Sequence, residues 1–126
     1  MGLDIELFTR PERRGHVQFS YGGFGAVRKR LAESAGLGSL NDYKGYGGTK
    51  DWPSVAEEPL VALLNHSDCD GELWASQIDH LADRLLAVSR NWQEAERPYA
   101  SDRDKVEELA EVCRRCVADD GVLVFG

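Results

Sequence analysis

One short polar segment, residues 65–73 ("NHSDCDGEL"), brings a histidine, a cysteine and three carboxylates together between two apolar segments. Asp68 and Asp70 offer the carboxylate oxygens that hard divalent cations bind. His66 could act as a general base, and Cys69 could act as a nucleophile. One function that these residue types predict is therefore that of a small hydrolase, either metal-dependent or of the Cys/His type.

This segment does not complete a known metal-binding motif. In the register of an EF-hand, Asp68 and Asp70 would occupy loop positions 3 and 5. Positions 1 and 12, which are acidic in that motif, would then be His66 and Gln77. A looser site that uses both aspartates is still compatible with the sequence, and the identity of any cofactor stays unknown.

Two further cysteines, Cys113 and Cys116, have the spacing of a CxxC pair. A redox pair belongs at the start of a helix, where the helix dipole lowers the pKa of a thiol, whereas these residues lie near the end of a predicted helix. A zinc site would need additional ligands at no recognisable spacing, from Cys69, His16 or His80. We therefore expect both cysteines to be reduced residues of the core, as is common in a cytoplasmic protein.

A long predicted helix that begins at Leu73 and ends at Arg97-Pro98 gives the carboxylates of residues 65–73 a structural explanation. Ser67, Asp68 or Asp70 would cap this helix, and Glu72 would lie in its first turn, where the positive end of the dipole stabilises a carboxylate. The helix is predicted from apolar residues that recur every three or four positions, namely Trp74, Ile78, Leu81, Leu85, Val88 and Trp92.

The glycine-rich segment at residues 36–53 has neither a helical nor a strand period, which predicts a long surface loop. Long loops within compact domains are often functional. Tyr43, Tyr46 and Trp52 lie in this loop beside two lysines, and rigid aromatic side chains with polar neighbours are typical of recognition loops. The loop therefore predicts a binding site for a protein partner, although the same rings could pack onto the domain surface.

The remaining segments predict a single α+β domain over residues 1–126. It is mostly helical, and a small sheet of two or three strands pairs the chain ends. The strand at 122–125 is apolar on both faces, and residues 60–65 could form either a helix or a buried strand. The predicted elements are strands at 3–7, 17–21 and 122–125, and helices at 24–35, 59–66, from 73 to the break at Arg97-Pro98, and 101–118.

Charge and hydropathy narrow the class of partner. The net charge is −7, with eight Lys/Arg against five Asp/Glu in residues 1–50 and seven against seventeen in residues 51–126. This excess of carboxylates argues against a nucleic-acid groove and favours an acidic surface that meets a basic protein. No apolar segment approaches the roughly 20 residues that span a bilayer, so we expect a cytoplasmic protein that does not enter the membrane.

The segments "MGLDI", "PLVALLNHSDCDGEL" and "VLVFG" resemble small bacterial and phage-type proteins of unassigned function that carry a Ser-Asp-Cys-Asp/Glu-Gly loop. That resemblance implies neither an activity nor a substrate. The sequence therefore predicts a small protein-interaction or regulatory module. The alternative is the enzyme centred on residues 66–72, and the sequence does not predict an oligomeric state.

Overall fold

A computed structural model describes residues 2–9, 12–67, 70–92 and 102–126. This part of the chain is α+β, as predicted, with four α-helices and four strands. In chain order they are β1 Gly2–Thr9, β2 Glu12–Ser20, α1 Tyr21–Ser34, α2 Val61–Leu64, β3 Glu72–Trp74, α3 Leu81–Ser89, α4 Asp102–Ala118 and β4 Val122–Phe125. Two short 3-10 helices lie at Leu40–Asp42 and Ala75–Gln77.

The strands form one antiparallel sheet in the order β2-β1-β4-β3. β1 pairs with β2 on one side and with β4 on the other, so the first and last strands are neighbours. β3 pairs with the other edge of β4. The predicted sheet of two or three strands at the chain ends therefore needs correction, because it has four strands and β3 comes from the interior of the chain.

The sheet buries only one face. Leu3, Ile5 and Leu7 of β1 are fully buried, as are Leu123 and Phe125 of β4, because α1 and α4 pack across this face. No described helix covers the opposite face, which we call the outer face. Its residues alternate with the buried ones and are Asp4, Glu6, Phe8, His16, Gln18, Glu72, Trp74, Val122 and Val124.

The long helix predicted from Leu73 is wrong in its first half, and its predicted end at Arg97-Pro98 lies outside the described residues. β3 occupies the start of that segment, a 3-10 helix follows, and α3 begins only at Leu81. Leu73 is buried while Trp74 is exposed, which is the alternation of a strand. Hydrogen bonds from β4 stabilise this strand, and they come from residues about fifty positions away in the chain. The pairing with β4 therefore overrides the helical spacing of the local sequence, and this spacing does not reveal such a tertiary contact.

The two ends of the glycine-rich segment follow the sequence prediction. α1 stops just before Gly36, which has a φ of 81°, and the N–H of Leu37 returns to the carbonyl of Ala32 in a glycine-terminated helix end. After the loop, the ambiguous residues 60–65 form a helix, α2, instead of a strand, and bury Leu63 and Leu64. Among the described residues, no helix is long and apolar enough to cross a membrane.

Candidate functional site

The turn at residues 66–72 closes around the ring of His66. Nδ1 lies 2.8 Å from the carbonyl oxygen of Ser67, and Nε2 lies 3.3 Å from that of Glu72. The ring also packs on Phe125, with 4.2 Å between centroids. Both ring nitrogens therefore lie against main-chain carbonyls of the turn. The predicted role of His66 as a general base stays a prediction.

Asp68 and Cys69, the other predicted members of an enzyme site, lie outside the described residues. Asp70 is exposed, and its N–H donates to the hydroxyl of Ser67 at 3.3 Å. The predicted helix caps at these positions are wrong, because the chain continues from Asp70 into β3 and Glu72 is the first residue of that strand. Within the part of the chain that the structure describes, no three His, Cys, Asp or Glu side chains converge to hold a metal ion.

The CxxC pair belongs to the hydrophobic core, as the sequence predicts. Cys113 and Cys116 are both fully buried on the inner side of α4. Burial raises the pKa of the Cys113 thiol to about 12. Zinc binds the thiolate form of cysteine, so these thiols are poor candidates for ligands.

The aromatic residues of the 36–53 loop are packed into the domain. Tyr43 is only 2% exposed, stacks on Trp52 with 4.3 Å between ring centroids, and donates its hydroxyl hydrogen to the carbonyl of Leu37. The indole N–H of Trp52 donates to the carbonyl of Lys44. At Gly48, an added Cβ would collide with the main chain of the same loop. The rings therefore hold the loop in one conformation, and its predicted role in recognition stays a prediction.

Tyr46 connects this loop to α2, because its hydroxyl donates to the carbonyl of Leu64 at 2.7 Å. Replacing Tyr46 by Phe removes the donor and leaves the carbonyl unsatisfied, so we expect the free energy of unfolding to fall by about 1 kcal/mol. Urea titration followed by circular dichroism measures this change. Lys44→Ala is the control, because its ion pair with Asp51 is exposed and its loss should cost at most about 0.5 kcal/mol. Equal stabilities of the two variants would contradict a structural role for the hydroxyl.

A continuous apolar row crosses three strands of the outer face. Phe8 of β1 and Trp74 of β3 are both direct cross-strand partners of Val122 on β4, so the three side chains lie side by side. Trp74 is 46% exposed, and among the described residues only it and Val55 are large hydrophobic residues with this degree of exposure. An apolar row of this kind on a sheet surface is typical of a contact surface.

A depression of about 770 Å³ lies against this row. Its lining includes Phe8, Trp74 and Val122 together with Asp119 and Asp120, which follow α4. The residue after them, Gly121, brings this segment close to the sheet. An added Cβ at Gly121 would lie 2.7 Å from the carbonyl oxygen of Phe8, and the Gly121 carbonyl accepts a hydrogen bond from the N–H of Ala75. The depression thus depends on glycine at position 121.

Among the described side chains, those around the apolar row are predominantly acidic. His16 pairs with Asp4 at 2.9 Å, and Arg14, which also lines the depression, pairs with Glu12 at 2.9 Å. The outer face and the depression therefore combine an apolar centre with an acidic rim. The carboxylates of this rim are those of Asp4, Glu6, Glu72, Asp119 and Asp120.

Sequence reasoning missed this surface, although two of its features were visible. The sequence of β4 is apolar on both faces. In β1, Asp4, Glu6 and Phe8 point to the same face of the strand, and Phe8 is the apolar one of the three. Together these features indicate that the second face of the sheet is not simply solvated. Nothing in the sequence placed Trp74 beside them, because β3 has only three residues and lies within a helical spacing.

Comparisons with known proteins do not assign the chain to a family. The chain matches no protein-family model, and no curated protein or solved structure shows significant similarity to it. The functional argument therefore depends on the geometry and chemistry of the outer face.

Proposed function

We propose that this protein is a protein-binding module whose partner docks on the outer face of the sheet. The observation that carries the proposal is Trp74, whose side chain is 46% exposed at the end of an apolar row with Phe8 and Val122. Tryptophan is strongly enriched among residues that dominate binding energy at protein interfaces. A partner that covers this row would bury apolar surface that folding leaves in contact with water.

The position of Trp74 is fixed before any partner binds. Its strand is hydrogen-bonded to β4, and its own N–H donates to the side-chain oxygen of Gln77 at 2.8 Å. Binding therefore requires little ordering of the main chain, and less of the interaction energy is lost to conformational entropy. A preorganised aromatic residue on a strand is a suitable anchor for a docking protein.

Charge complementarity specifies the partner as a basic protein segment. The acidic rim favours Lys and Arg in the partner, while the row of Phe8, Val122 and Trp74 favours apolar residues beside them. The net charge of −7 would also increase the rate of encounter with a basic partner. An extended segment that alternates basic and apolar residues meets both requirements.

The enzyme alternative gains no support from the described residues. The ring nitrogens of His66 face main-chain carbonyls, and Asp70 is exposed without a neighbouring ligand set. Asp68 and Cys69 lie outside the described residues. We therefore propose one function only.

The proposal predicts that Trp74→Ala disrupts binding without disrupting folding. A protein captured from a lysate of the source organism would be identified by mass spectrometry, purified and titrated against the chain by calorimetry. We expect Trp74→Ala to raise the dissociation constant by about 30-fold. This corresponds to a loss of about 2 kcal/mol of binding free energy, as is typical of an aromatic residue at the centre of an interface. Because the side chain is half exposed, the melting temperature should stay close to that of the native chain.

Val55→Ala is the matched control, because Val55 is a similarly exposed hydrophobic residue at 42% but lies outside the outer face. It should change the dissociation constant by less than about twofold, as a peripheral truncation normally does. A purified partner that binds the Trp74→Ala variant as tightly as the native chain would refute the proposed docking surface.

A further inference from the structure

We infer that the depression beside Trp74 binds an arginine side chain of the partner, with its guanidinium between the indole ring and the carboxylates of Asp119 and Asp120. This inference rests on the proposed function and specifies its chemistry. The apolar row would bind the hydrophobic part of the partner, and the depression would select its charge.

The lining of the depression matches the two halves of an arginine side chain. Phe8, Val122 and Trp74 provide apolar and aromatic surface for the methylene stem and for stacking of the planar guanidinium. Asp119 and Asp120 provide carboxylate oxygens that accept hydrogen bonds from a guanidinium in paired geometry. A depression of about 770 Å³ has room for such a side chain together with water.

Asp119 and Asp120 add negative charge at the C-terminal end of α4. Asp119 and Asp120 follow the C-terminus of the helix, where the dipole is negative and disfavours further negative charge. Neither carboxylate forms an ion pair with a described residue. Their field also reaches the core, because the pKa of the Cys116 thiol is raised to about 11, first by burial and then by the charge of Asp120. A bound cation would relieve this repulsion.

Asp120 also adopts an uncommon main-chain conformation. Its φ is 50°, and within the described residues it is the sole non-glycine residue with a positive φ. Glycine is the usual residue at this position after a helix, because a side chain there is strained. Here the glycine follows at position 121, and position 120 carries a carboxylate that lines the depression. Aspartate is among the few side chains that tolerate a positive φ.

The guanidinium groups that the structure describes near the depression are held elsewhere. Arg14 pairs with Glu12 at 2.9 Å. Arg115 donates to the carbonyl of Arg14 at 2.8 Å and lies 4.0 Å from Glu111. Arg14 lines the depression and Arg115 lies near Asp119, but neither forms an ion pair with Asp119 or Asp120. Among the described residues, both carboxylates are therefore left to pair with an external cation.

The test is an NMR titration of the full ¹⁵N-labelled chain with the peptide Ac-Val-Arg-Val-Arg-Val-NH₂ to millimolar concentration. We expect shifts at the indole N–H of Trp74 and at the amides of residues 119–122. The matched peptide with citrulline in place of arginine keeps the shape but lacks the charge, and should bind about 5-fold more weakly. Raising the salt concentration should reduce this difference.

The double variant Asp119→Asn/Asp120→Asn should bind the two peptides equally. Asparagine is nearly isosteric with aspartate and tolerates the positive φ at position 120, so the variant should keep the fold. Equal binding of both peptides to the native chain, an unchanged arginine preference in the double variant, or no shift at millimolar peptide would each overturn the inference.

These outcomes can be separated from failure of the proposed function. If the purified partner requires Trp74 but the arginine preference is missing, the docking surface stands and the inference about its charge selection is wrong. If the partner ignores the Trp74→Ala substitution, the proposed docking surface is refuted, whatever the peptides show.

Discussion

Arg84→Met should lower the free energy of unfolding by about 3 kcal/mol, the cost expected when a buried ion pair loses one partner. Glu58 is only 7% exposed, and Arg84 donates to its carboxylate from both Nε and Nη2 at 2.8–3.1 Å. These hydrogen bonds raise the pKa of Arg84 above its usual range, so the guanidinium stays charged. Methionine fills the space but leaves a buried carboxylate with one weak described donor, the N–H of Leu60 at 3.4 Å.

The double variant Glu58→Gln/Arg84→Met tests this explanation. It removes both charges, so we expect it to recover at least half of the lost stability, because the penalty of a buried uncompensated charge disappears. Glu58→Gln alone should cost less than Arg84→Met, since the Arg84 side chain is about one third exposed and can be hydrated. Urea unfolding of the three variants measures all of these differences. A double variant as unstable as Arg84→Met would show that packing, and not charge, explains the loss.

The thiols of Cys113 and Cys116 should resist alkylation in the folded protein. Burial, with a contribution from Cys116, raises the pKa of Cys113 to about 12, and burial followed by Asp120 raises that of Cys116 to about 11. The thiolate is the reactive form, so at pH 8 these shifts alone should slow labelling by iodoacetamide about 100-fold or more relative to urea-unfolded chain. Mass spectrometry of the tryptic peptides resolves each cysteine. Native labelling at the unfolded rate would mean that α4 opens readily.

The same raised pKa values predict a loss of stability at alkaline pH. In the unfolded chain both thiols ionise near pH 9, whereas in the folded chain they stay protonated to about pH 11 or 12. The contribution to stability is therefore fully present below pH 9 and is lost as the pH rises from 9 to 12, at up to about 1.4 kcal/mol per pH unit for each thiol. Urea titrations across this range should show a smaller slope for Cys113→Ala/Cys116→Ala. An identical slope would assign the alkaline loss to other groups.

The parts of the fold that follow local rules were predictable. β1 and β2 alternate apolar and polar residues, α1 stops before a glycine, and α4 carries a regular apolar stripe. β3 was not predictable, because three residues carry no period and Trp74 continues the spacing of α3. Its strand conformation depends on hydrogen bonds from β4, which only the folded chain brings alongside.

The candidate site was less predictable, because exposure is a tertiary property. The sequence favoured Tyr43 as a recognition residue and Trp74 as a core residue, whereas in the fold Tyr43 is 2% and Trp74 is 46% exposed. The last helix ends at residue 118, as predicted, and the Asp119-Asp120-Gly121 segment follows it. Its part in the depression follows from the contact between Gly121 and the carbonyl of Phe8, a pairing that spacing in the chain does not encode.

The hydrogen bonds and packed rings that hold residues 36–53 in place limit where sequence can be inserted into the protein. Surface loops are normally the first choice for splicing in an epitope tag or a reporter domain. Here the N–H groups of Gly48 and Lys50 return to the carbonyls of Tyr43 and Asp42, and no side chain fits at Gly48. Because the hydroxyl of Tyr46 donates to the carbonyl of Leu64, a displacement of the loop would also strain its contact with α2. We therefore expect an insertion in this loop to disturb the packing of the domain, unlike an insertion in a loose surface loop.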